Sequence, residues 1–313
     1  MKILAISGGI KDGDNDSICK EALLGAQEEH CEIEFIRLPD LHLETCKGCR
    51  QCLKKPGEQE SCILEDDLEW LKARMQMADG LLFSVPARRR GAGSLIHLLI
   101  DRLDGGENGR LPYWESDFGQ NCEEIFPEEG PQGKPVAFLG TSGSEFPLRL
   151  RWDCALLAEV MMWRMIENRV FTRTKCFSLE AEKIGCARMV GKTLAQAVQD
   201  PQQAAYIGDC GVCPHCHGRN FYLNEYALKA VCCTCGIEGK LEIEDGKVRF
   251  RYEEEQLDRA YDTRAGIAYY AREAKNYQMV ASKMKDSYKY RQRLKFYQNF
   301  IQGLLPQNIK EKG

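Results

Sequence analysis

The chain has 313 residues, of which 43% are hydrophobic and 29% are charged, and this length favours more than one domain. The formal net charge of -4 gives no reason to expect nucleic acid or a membrane surface as a partner. Met1 leads directly into an apolar strand pattern, and no apolar run approaches the roughly 20 residues of a membrane helix. We therefore expect a cytoplasmic protein.

Strand and helix patterns alternate from residue 2 to residue 198. Strands are predicted at residues 2–7, 31–38, 80–85, 134–140 and 168–172, and helices at residues 17–29, 68–77, 94–103, 148–165 and 179–198. Strands that alternate with helices form right-handed crossovers and a parallel sheet. We expect an α/β domain over residues 1–204, with a flavodoxin-like, doubly wound, five-stranded parallel sheet in the order 2-1-3-4-5. Such sheets bind ligands beyond the carboxyl ends of their strands.

The pattern changes after residue 204. Short strand patterns flank cysteine pairs over residues 205–252, which predicts a small separate module. Residues 253–313 form a charged C-terminal extension, with one long helix predicted over residues 253–305. Within the first domain, residues 105–133 form a long polar insertion, and insertions of this length are usually lids or subunit contacts.

The turn after the first strand is rich in glycine and serine. Its candidate cofactor-binding residues are Ser7, Gly8, Gly9, Lys11, Asn15, Asp16 and Ser17. Free N–H groups and the helix dipole make such a turn a site for phosphate. The same residues also fit an ordinary connection in which Asp16 or Ser17 caps the helix.

Two more loops follow strands of the same predicted sheet. The third strand leads into Val85, Pro86, Ala87, Arg88, Arg89 and Gly91, and the fourth strand leads into Thr141, Ser142 and Gly143. Because the carboxyl ends of parallel strands meet at one edge, we expect both loops to lie near the ligand site.

The second loop carries a family resemblance. Pro86 and the helix end Ile100-Asp101-Arg102 stand in the register of NAD(P)H-dependent FMN reductases, and the segment resembles the loop that holds isoalloxazine in that family. Over residues 1–200 the resemblance implies that the first loop binds the FMN phosphate and the third loop closes over the ring. Arg88 and Arg89 replace the family's aromatic pair, and a guanidinium there would stabilise the anionic reduced ring or bind an anionic substrate. These two arginines are our candidate catalytic residues.

Ten of the 16 cysteines fall in two clusters, at residues 46–62 and 210–235. This clustering without a secretory signal indicates metal binding rather than disulfides. The first cluster comprises Cys46, Cys49, Cys52 and Cys62, and close thiolates of this kind can wrap a [4Fe–4S] cube. A zinc site or a redox thiol pair is the alternative. The spacing resembles that of iron–sulfur flavoproteins, which implies a cluster near FMN across the interface of a homodimer or higher homo-oligomer.

The second cluster has zinc-ribbon spacing. Its predicted ligands are Cys213, Cys216, Cys232 and Cys235, and predicted strands lie between and after the two pairs. Cys210 extends the first pair to a run of three, so a second iron–sulfur cluster is the alternative.

Together these features predict an FMN- and [4Fe–4S]-dependent oxidoreductase with a zinc ribbon. It would move electrons from NAD(P)H or ferredoxin to a small acceptor, which the arginines suggest is anionic. The alternatives are a non-enzymatic electron carrier that docks a redox partner, and a zinc-ribbon regulator that has lost its flavin. No histidine or carboxylate pair stands out in the sequence as an acid–base catalyst.

Overall fold

The computed structural model describes residues 1–49, 62–103, 133–161, 163–202, 205–224, 226 and 229–301. Cys52 and almost all of the insertion predicted at residues 105–133 lie outside the described residues. Within the described ranges, no helix is both long enough and apolar enough to cross a membrane.

The main sheet confirms the predicted strand order. Its parallel strands are β1 (Lys2–Ser7), β2 (Glu32–Arg37), β3 (Gly80–Arg88), β5 (Pro135–Thr141) and β6 (Arg164–Phe171), in the order β2-β1-β3-β5-β6. A two-residue strand, β4 (Gly91–Ala92), pairs antiparallel with the end of β3. All seven residues of β5 are buried, as expected for a central strand covered on both faces.

Helices cover both faces of this sheet. They are α1 (Asp14–Glu28), α2 (Leu68–Met77), α3 (Ser94–Leu103), α4 (Leu150–Val160) and α5 (Ala181–Gln199). Helices α1 and α5 pack on one face, and α2, α3 and α4 pack on the other. The backbones of α1 and α5 approach closely at Gly25 and Gly191. A Cβ on Gly191 would lie 1.8 Å from the carbonyl oxygen of Ala22, so no larger residue fits there.

The helix predicted over residues 148–165 is too long. Helix α4 ends at Val160, and the chain is already a strand at Arg164, where it pairs with Pro135 of β5. Ile166 is fully buried against the sheet. Parallel pairing with β5 therefore overrides the helical pattern of the last predicted turn.

A second, four-stranded sheet follows the main domain. It is antiparallel, with β7 (Phe221–Asn224), β8 (Lys229–Cys232), β9 (Glu238–Glu244) and β10 (Lys247–Arg251) in the order β10-β9-β8-β7. Its small core comprises Cys213, Cys216, Ala230, Cys232, Cys235, Ile237, Phe250 and Ala260. We refer to residues 205–252 as the four-cysteine module.

The prediction of a single long helix over residues 253–305 is wrong. A 3-10 turn at Glu254–Arg259 precedes two helices, α6 (Arg264–Lys285) and α7 (Tyr288–Phe300). The side chain of Ser287 accepts a hydrogen bond from the N–H of Tyr290 and caps the start of α7. The sequence pattern missed this capping signal because helical periodicity continues on both sides of it.

Candidate functional site

The three loops predicted to bind a cofactor lie together at the carboxyl edge of the main sheet. The N–H of Gly8 donates to the carbonyl oxygen of Ser84 over 2.8 Å, which joins the first loop to β3. Strand β3 pairs with β5 so that Pro86 stands opposite Thr141. Residues 7–17, 85–91 and 141–143 therefore surround one region of the surface.

Asn15 connects all three loops. Its side-chain nitrogen donates to the Ser84 hydroxyl over 3.0 Å, and its side-chain oxygen accepts from the Thr141 hydroxyl over 3.3 Å. Asn15 is only 6% exposed. A Cβ on Gly9 would lie 2.6 Å from the Cβ of Asn15, so only glycine fits at position 9, where the first loop passes over this side chain.

Asp16 supports the first loop from inside the protein. Its fully buried carboxylate accepts hydrogen bonds from the Ser7 hydroxyl at 2.6 Å, the N–H of Asp12 at 2.9 Å and the Arg37 guanidinium at 2.7 Å. Burial raises the pKa of Asp16, but the bonds from Arg37 and Ser7 outweigh it, and the pKa lies below that of an ordinary aspartate. The inward carboxylate thus shapes the loop, and a direct contact of Asp16 with a cofactor stays a prediction.

The other side chains of the first loop have different surroundings. Lys11 is exposed. Ser17 is half-buried, and its hydroxyl donates to the carbonyl oxygen of Gly13 over 3.2 Å. Lys11 is therefore the loop's accessible positive charge.

Arg88, Arg89 and Arg90 form the exposed tip of a tight hairpin. Ala87 pairs with Ala92 and Arg88 pairs with Gly91, which leaves Arg89 and Arg90 as a two-residue turn. Their φ angles are 45° and 71°, in the left-handed region that strains residues other than glycine. Within the described part of the chain these three arginines form no ion pair, so their charge is available to an anion.

Asp153 of α4 holds this hairpin in place. Its carboxylate is 1% exposed and accepts a hydrogen bond from the N–H of Ala92 over 2.7 Å. A Cβ on Gly91 would lie 2.6 Å from this carboxylate, which explains the glycine there. The Nε2 atom of His97 lies 3.7 Å from the same carboxylate. The sequence does not reveal this histidine–carboxylate pair, because only the packing of α3 beside α4 brings the two residues together.

The third loop is partly buried. Thr141 and Ser142 are buried, and the N–H of Ser142 donates to the carbonyl oxygen of Phe171 over 2.9 Å. A Cβ on Gly143 would meet nothing within 4 Å. This loop therefore has a fixed base and an open tip.

Arg102 fastens both ends of the first cysteine loop. Its guanidinium pairs with Asp66 and donates to the carbonyl oxygen of Glu44 over 2.9 Å. Asp66 in turn accepts from the N–H of Glu44 over 2.7 Å. Burial raises the pKa of Asp66, but the bond from Arg102 and two backbone N–H bonds outweigh it, so the carboxylate stays ionised.

The predicted iron–sulfur ligands lie on this fastened loop. Cys46 and Cys49 are exposed, Cys62 is half-buried, and Cys52 lies outside the described residues. The contacts of Arg102 bring residues 44 and 66, which flank the predicted ligands, to the same end of α3. The first and last predicted ligands therefore belong to one loop with a closed base.

The four cysteines of the module could hold one metal ion. The sulfur atoms of Cys213, Cys216, Cys232 and Cys235 all lie within 4.8 Å of one another, with 3.8 Å between Cys213 and Cys235 and 3.4 Å between Cys216 and Cys232. A tetrahedral zinc with Zn–S bonds of about 2.3 Å places its sulfur ligands about 3.8 Å apart. Cys210 is exposed and lies outside this group.

The N-terminal half of the chain is similar to known flavoproteins. The sequence profile of the family described as NADPH-dependent FMN reductase matches residues 1–151. An iron–sulfur flavoprotein of Methanocaldococcus jannaschii is 34% identical over 103 residues, which are 33% of this chain and 51% of that protein. The chain therefore spans about half the length of the iron–sulfur flavoproteins that it matches.

Two other proteins match most of the chain. A flavone synthase of Aspergillus candidus is 31% identical over 277 residues, which are 80% of this chain and 81% of that protein. A solved structure of a flavone reductase superimposes with a TM-score of 0.82 at 35% identity, covering 98% of this chain and 100% of the other. With the profile match, this agreement over nearly the whole length shows that the chain belongs to the flavodoxin-like family of NADPH-dependent FMN reductases and iron–sulfur flavoproteins.

Proposed function

We propose that this protein is an FMN-dependent oxidoreductase that reduces a planar, conjugated and partly anionic aromatic acceptor, such as a hydroxylated flavone. The observation that carries this proposal is the convergence of three loops on Asn15 at the carboxyl edge of the sheet. Bound FMN supplies hydride transfer and can exchange electrons one or two at a time.

The first loop is suited to the FMN phosphate. It precedes α1, whose unpaired N–H groups and positive dipole end attract an anion, and Lys11 adds an accessible charge. In this proposal Val85, Pro86, Ala87 and Gly91 of the second loop would hold the isoalloxazine together with Thr141, Ser142 and Gly143 of the third loop. Asn15 fixes the spacing between these two loops.

The arginine hairpin is suited to the acceptor. In a flavone-like compound, hydride adds to the carbon β to the carbonyl group, the C=C bond opens, and its electron pair moves to the carbonyl oxygen. Arg88 and Arg89 would stabilise that negative charge. A proton on the α carbon completes the reduction, and we assign its delivery to His97, which lies 3.7 Å from the Asp153 carboxylate beside the hairpin.

The relatives' names support the acceptor class. The two proteins that match most of the chain are called flavone reductase and flavone synthase, so both names refer to flavones. The hydroxyl groups of flavones ionise and give the anionic character that the exposed arginines favour.

We further propose a [4Fe–4S] cluster on Cys46, Cys49, Cys52 and Cys62, and a structural zinc ion on the four-cysteine module. Several short relatives are named iron–sulfur flavoproteins, and Arg102 holds the loop closed at its base. The cluster would pass electrons singly between FMN and a ferredoxin, near the interface of a homodimer. NADPH is the alternative donor, and a reducing cytoplasm would keep these thiols available.

Anaerobic purification followed by metal, flavin and turnover analysis tests this function. We expect about four iron, one zinc and one FMN per chain. NADPH, NADH and reduced ferredoxin are then compared as donors with 7-hydroxyflavone, and the product is expected to gain two hydrogen atoms by mass spectrometry. Turnover restricted to a protein acceptor would instead support an electron carrier, and oxidation of the matching flavanone would support the reverse reaction.

A further inference from the structure

One face of helix α7 is apolar, although every residue of the helix is exposed. Tyr290, Leu294 and Tyr297 recur at helical spacing and continue to Ile301, and they are between 39% and 74% exposed. A helix of 13 residues is only marginally stable in water by itself. The apolar face therefore indicates that α7 packs against another surface.

The charged residues of α7 are all positive. They are Lys289, Arg291, Arg293 and Lys295. Among the described residues these side chains form no ion pair, and the Arg293 guanidinium instead lies over the rings of Phe296 and Tyr297. A surface that covers α7 should therefore be both acidic and apolar.

The 3-10 turn before α6 carries the opposite charge. Its exposed carboxylates are Glu253, Glu254, Glu255 and Asp258, and we refer to residues 253–258 as the acidic turn. Within the described ranges these carboxylates form no ion pair. The N–H of Glu238 in the four-cysteine module donates to the side-chain oxygen of Gln256 over 3.1 Å, and the N–H of Tyr261 donates to the carbonyl oxygen of Cys235 over 2.9 Å. These bonds hold the acidic turn in a fixed position.

Exposed apolar residues lie near the acidic turn. Ile243 and Val248 stand opposite each other in the hairpin of β9 and β10, and they are 83% and 51% exposed. Val248 precedes Glu253 by five positions, which span at most about 17 Å of extended chain. Helix α7 is about 20 Å long. One α7 helix can therefore cover the acidic turn and this apolar pair together.

The α7 helix of the same chain does not reach this acidic turn. Helix α6 separates the two and has 22 residues, so it is about 33 Å long. Lys295, the last basic residue of α7, lies only about 11 Å along that helix. Even if α7 folded back along α6, its charges would stay about 20 Å from the acidic turn. A second copy of the chain can supply the complementary surface.

We infer that two copies of this chain exchange their C-terminal helices, and that α7 of each copy docks on the acidic turn and on Ile243 and Val248 of the other. Antiparallel packing of the two α6 helices brings each α7 to the other copy's acidic turn, since the turn precedes α6 and α7 follows it. Tyr277, Val280 and Met284 recur on one face of α6 and are at least 58% exposed, which suits this packing. The contact occurs twice in a two-fold symmetric dimer. The inference concerns assembly alone and does not depend on the proposed flavin chemistry.

Sedimentation equilibrium of the full FMN-loaded chain at micromolar concentration tests this inference. We expect a mass twice the 35.6 kDa of one chain. The helix variant replaces Lys289, Arg291, Arg293 and Lys295 with glutamate, and the turn variant replaces Glu253, Glu254 and Glu255 with lysine. Each variant opposes like charges, so the dissociation constant of the dimer should rise at least about a hundredfold.

An equimolar mixture of the two variants is the decisive control. The reversed helix of one variant then faces the reversed turn of the other, while the two unaltered elements match as before. We expect a mixed dimer whose dissociation constant is within about tenfold of the original value. A variant that had lost its fold would not be rescued by mixing.

A matched pair of apolar substitutions tests the rest of the surface. Ile243 and Leu179 are both 83% exposed, but Leu179 lies in the main domain. Ile243→Ser should weaken the dimer about tenfold, and Leu179→Ser should leave it unchanged. The inference is overturned if the unaltered chain sediments as one copy, if either charge variant stays dimeric, or if the mixture stays monomeric. Binding of a monomeric chain to phosphatidylserine vesicles through α7 would overturn it in favour of a lipid surface.

Discussion

The side-chain amide of Asn15 donates a hydrogen bond to the hydroxyl of Ser84 over 3.0 Å, across 69 positions of sequence. Asn15 stands in the first turn of α1 and Ser84 stands inside β3. Because Asn15 also accepts from Thr141, one buried side chain sets the distances among three loops. The geometry of the proposed flavin site therefore depends on a residue whose side-chain amide already forms two hydrogen bonds within the protein.

Asn15→Leu should weaken both folding and FMN binding. The substitution leaves the buried hydroxyls of Ser84 and Thr141 without this partner, which costs about 1–3 kcal/mol in the free energy of unfolding. We expect FMN affinity to fall at least tenfold, measured by quenching of flavin fluorescence beside urea unfolding. Asn220→Leu, which removes a hydrogen bond at the module junction, is the control, and an equal loss of FMN affinity there would contradict the prediction.

Asp16 should make the free energy of unfolding depend on pH only under acidic conditions. Its folded pKa lies below the unfolded value, so its stabilisation is present above about pH 4 and is lost as the pH falls through the folded pKa. We expect the free energy of unfolding of the unaltered protein to decline more steeply below about pH 4 than that of Asp16→Asn. Urea unfolding from pH 7 down to the acid range measures this. Parallel curves for the two proteins would show that Asp16 contributes nothing through its charge.

Replacing the strained arginines at the tip of the hairpin should raise the free energy of unfolding and weaken binding of the acceptor. Replacing Arg89 with Asn and Arg90 with Gly supplies the residues that this turn prefers, and we expect a gain of about 1 kcal/mol in the free energy of unfolding. The same double variant should raise KM for 7-hydroxyflavone about tenfold, because Arg89 no longer binds the anion. Arg90→Gly alone is the matched control and should gain stability while retaining KM. Unchanged KM in the double variant would remove Arg89 from the acceptor site.

Cys62 should be required for the proposed cluster. We expect Cys62→Ala to lose the iron and the broad visible absorbance of a [4Fe–4S] centre after anaerobic purification, while FMN stays bound. Cys176→Ala, which alters an exposed cysteine away from the loop, should keep a full iron content. An intact cluster in Cys62→Ala would overturn the ligand assignment.

Asp66→Asn should lower the iron content to an intermediate level, because it loosens the closed base of the loop.

Removing the metal from the four-cysteine module should unfold that module alone. Four of its core residues are the predicted ligands, so Cys232→Ala should lose one metal ion per chain and expose residues 205–252 to protease. FMN binding should persist, because the flavin loops belong to the main sheet. Cys233→Ala is the control, since its sulfur is not in the metal-binding group. Mass-spectrometric metal analysis and limited proteolysis report the two outcomes.

Local patterns made much of this fold predictable. Alternation of strands and helices indicated the sheet order, and the ends of α2 and α3 agree with the sequence prediction to the residue. The prediction failed where a strand begins at Arg164, inside the predicted helix, and at Ser287. In the first case pairing with β5 decided the structure, and in the second a capping side chain did. Both decisions depend on contacts that a periodic pattern does not contain.

By itself, the sequence determined the family, the loops that follow the strands, and the cysteines whose spacing suits a metal. These features are local, because short spacings along the chain are enough to encode them. Only the tertiary structure decided that Asn15 bonds to Ser84 and Thr141, that His97 lies 3.7 Å from Asp153, and that the indole N–H of Trp152 donates to the carbonyl oxygen of Cys233 in the four-cysteine module. Each of these contacts joins residues far apart in sequence, and packing between helices, strands and the module brings them together.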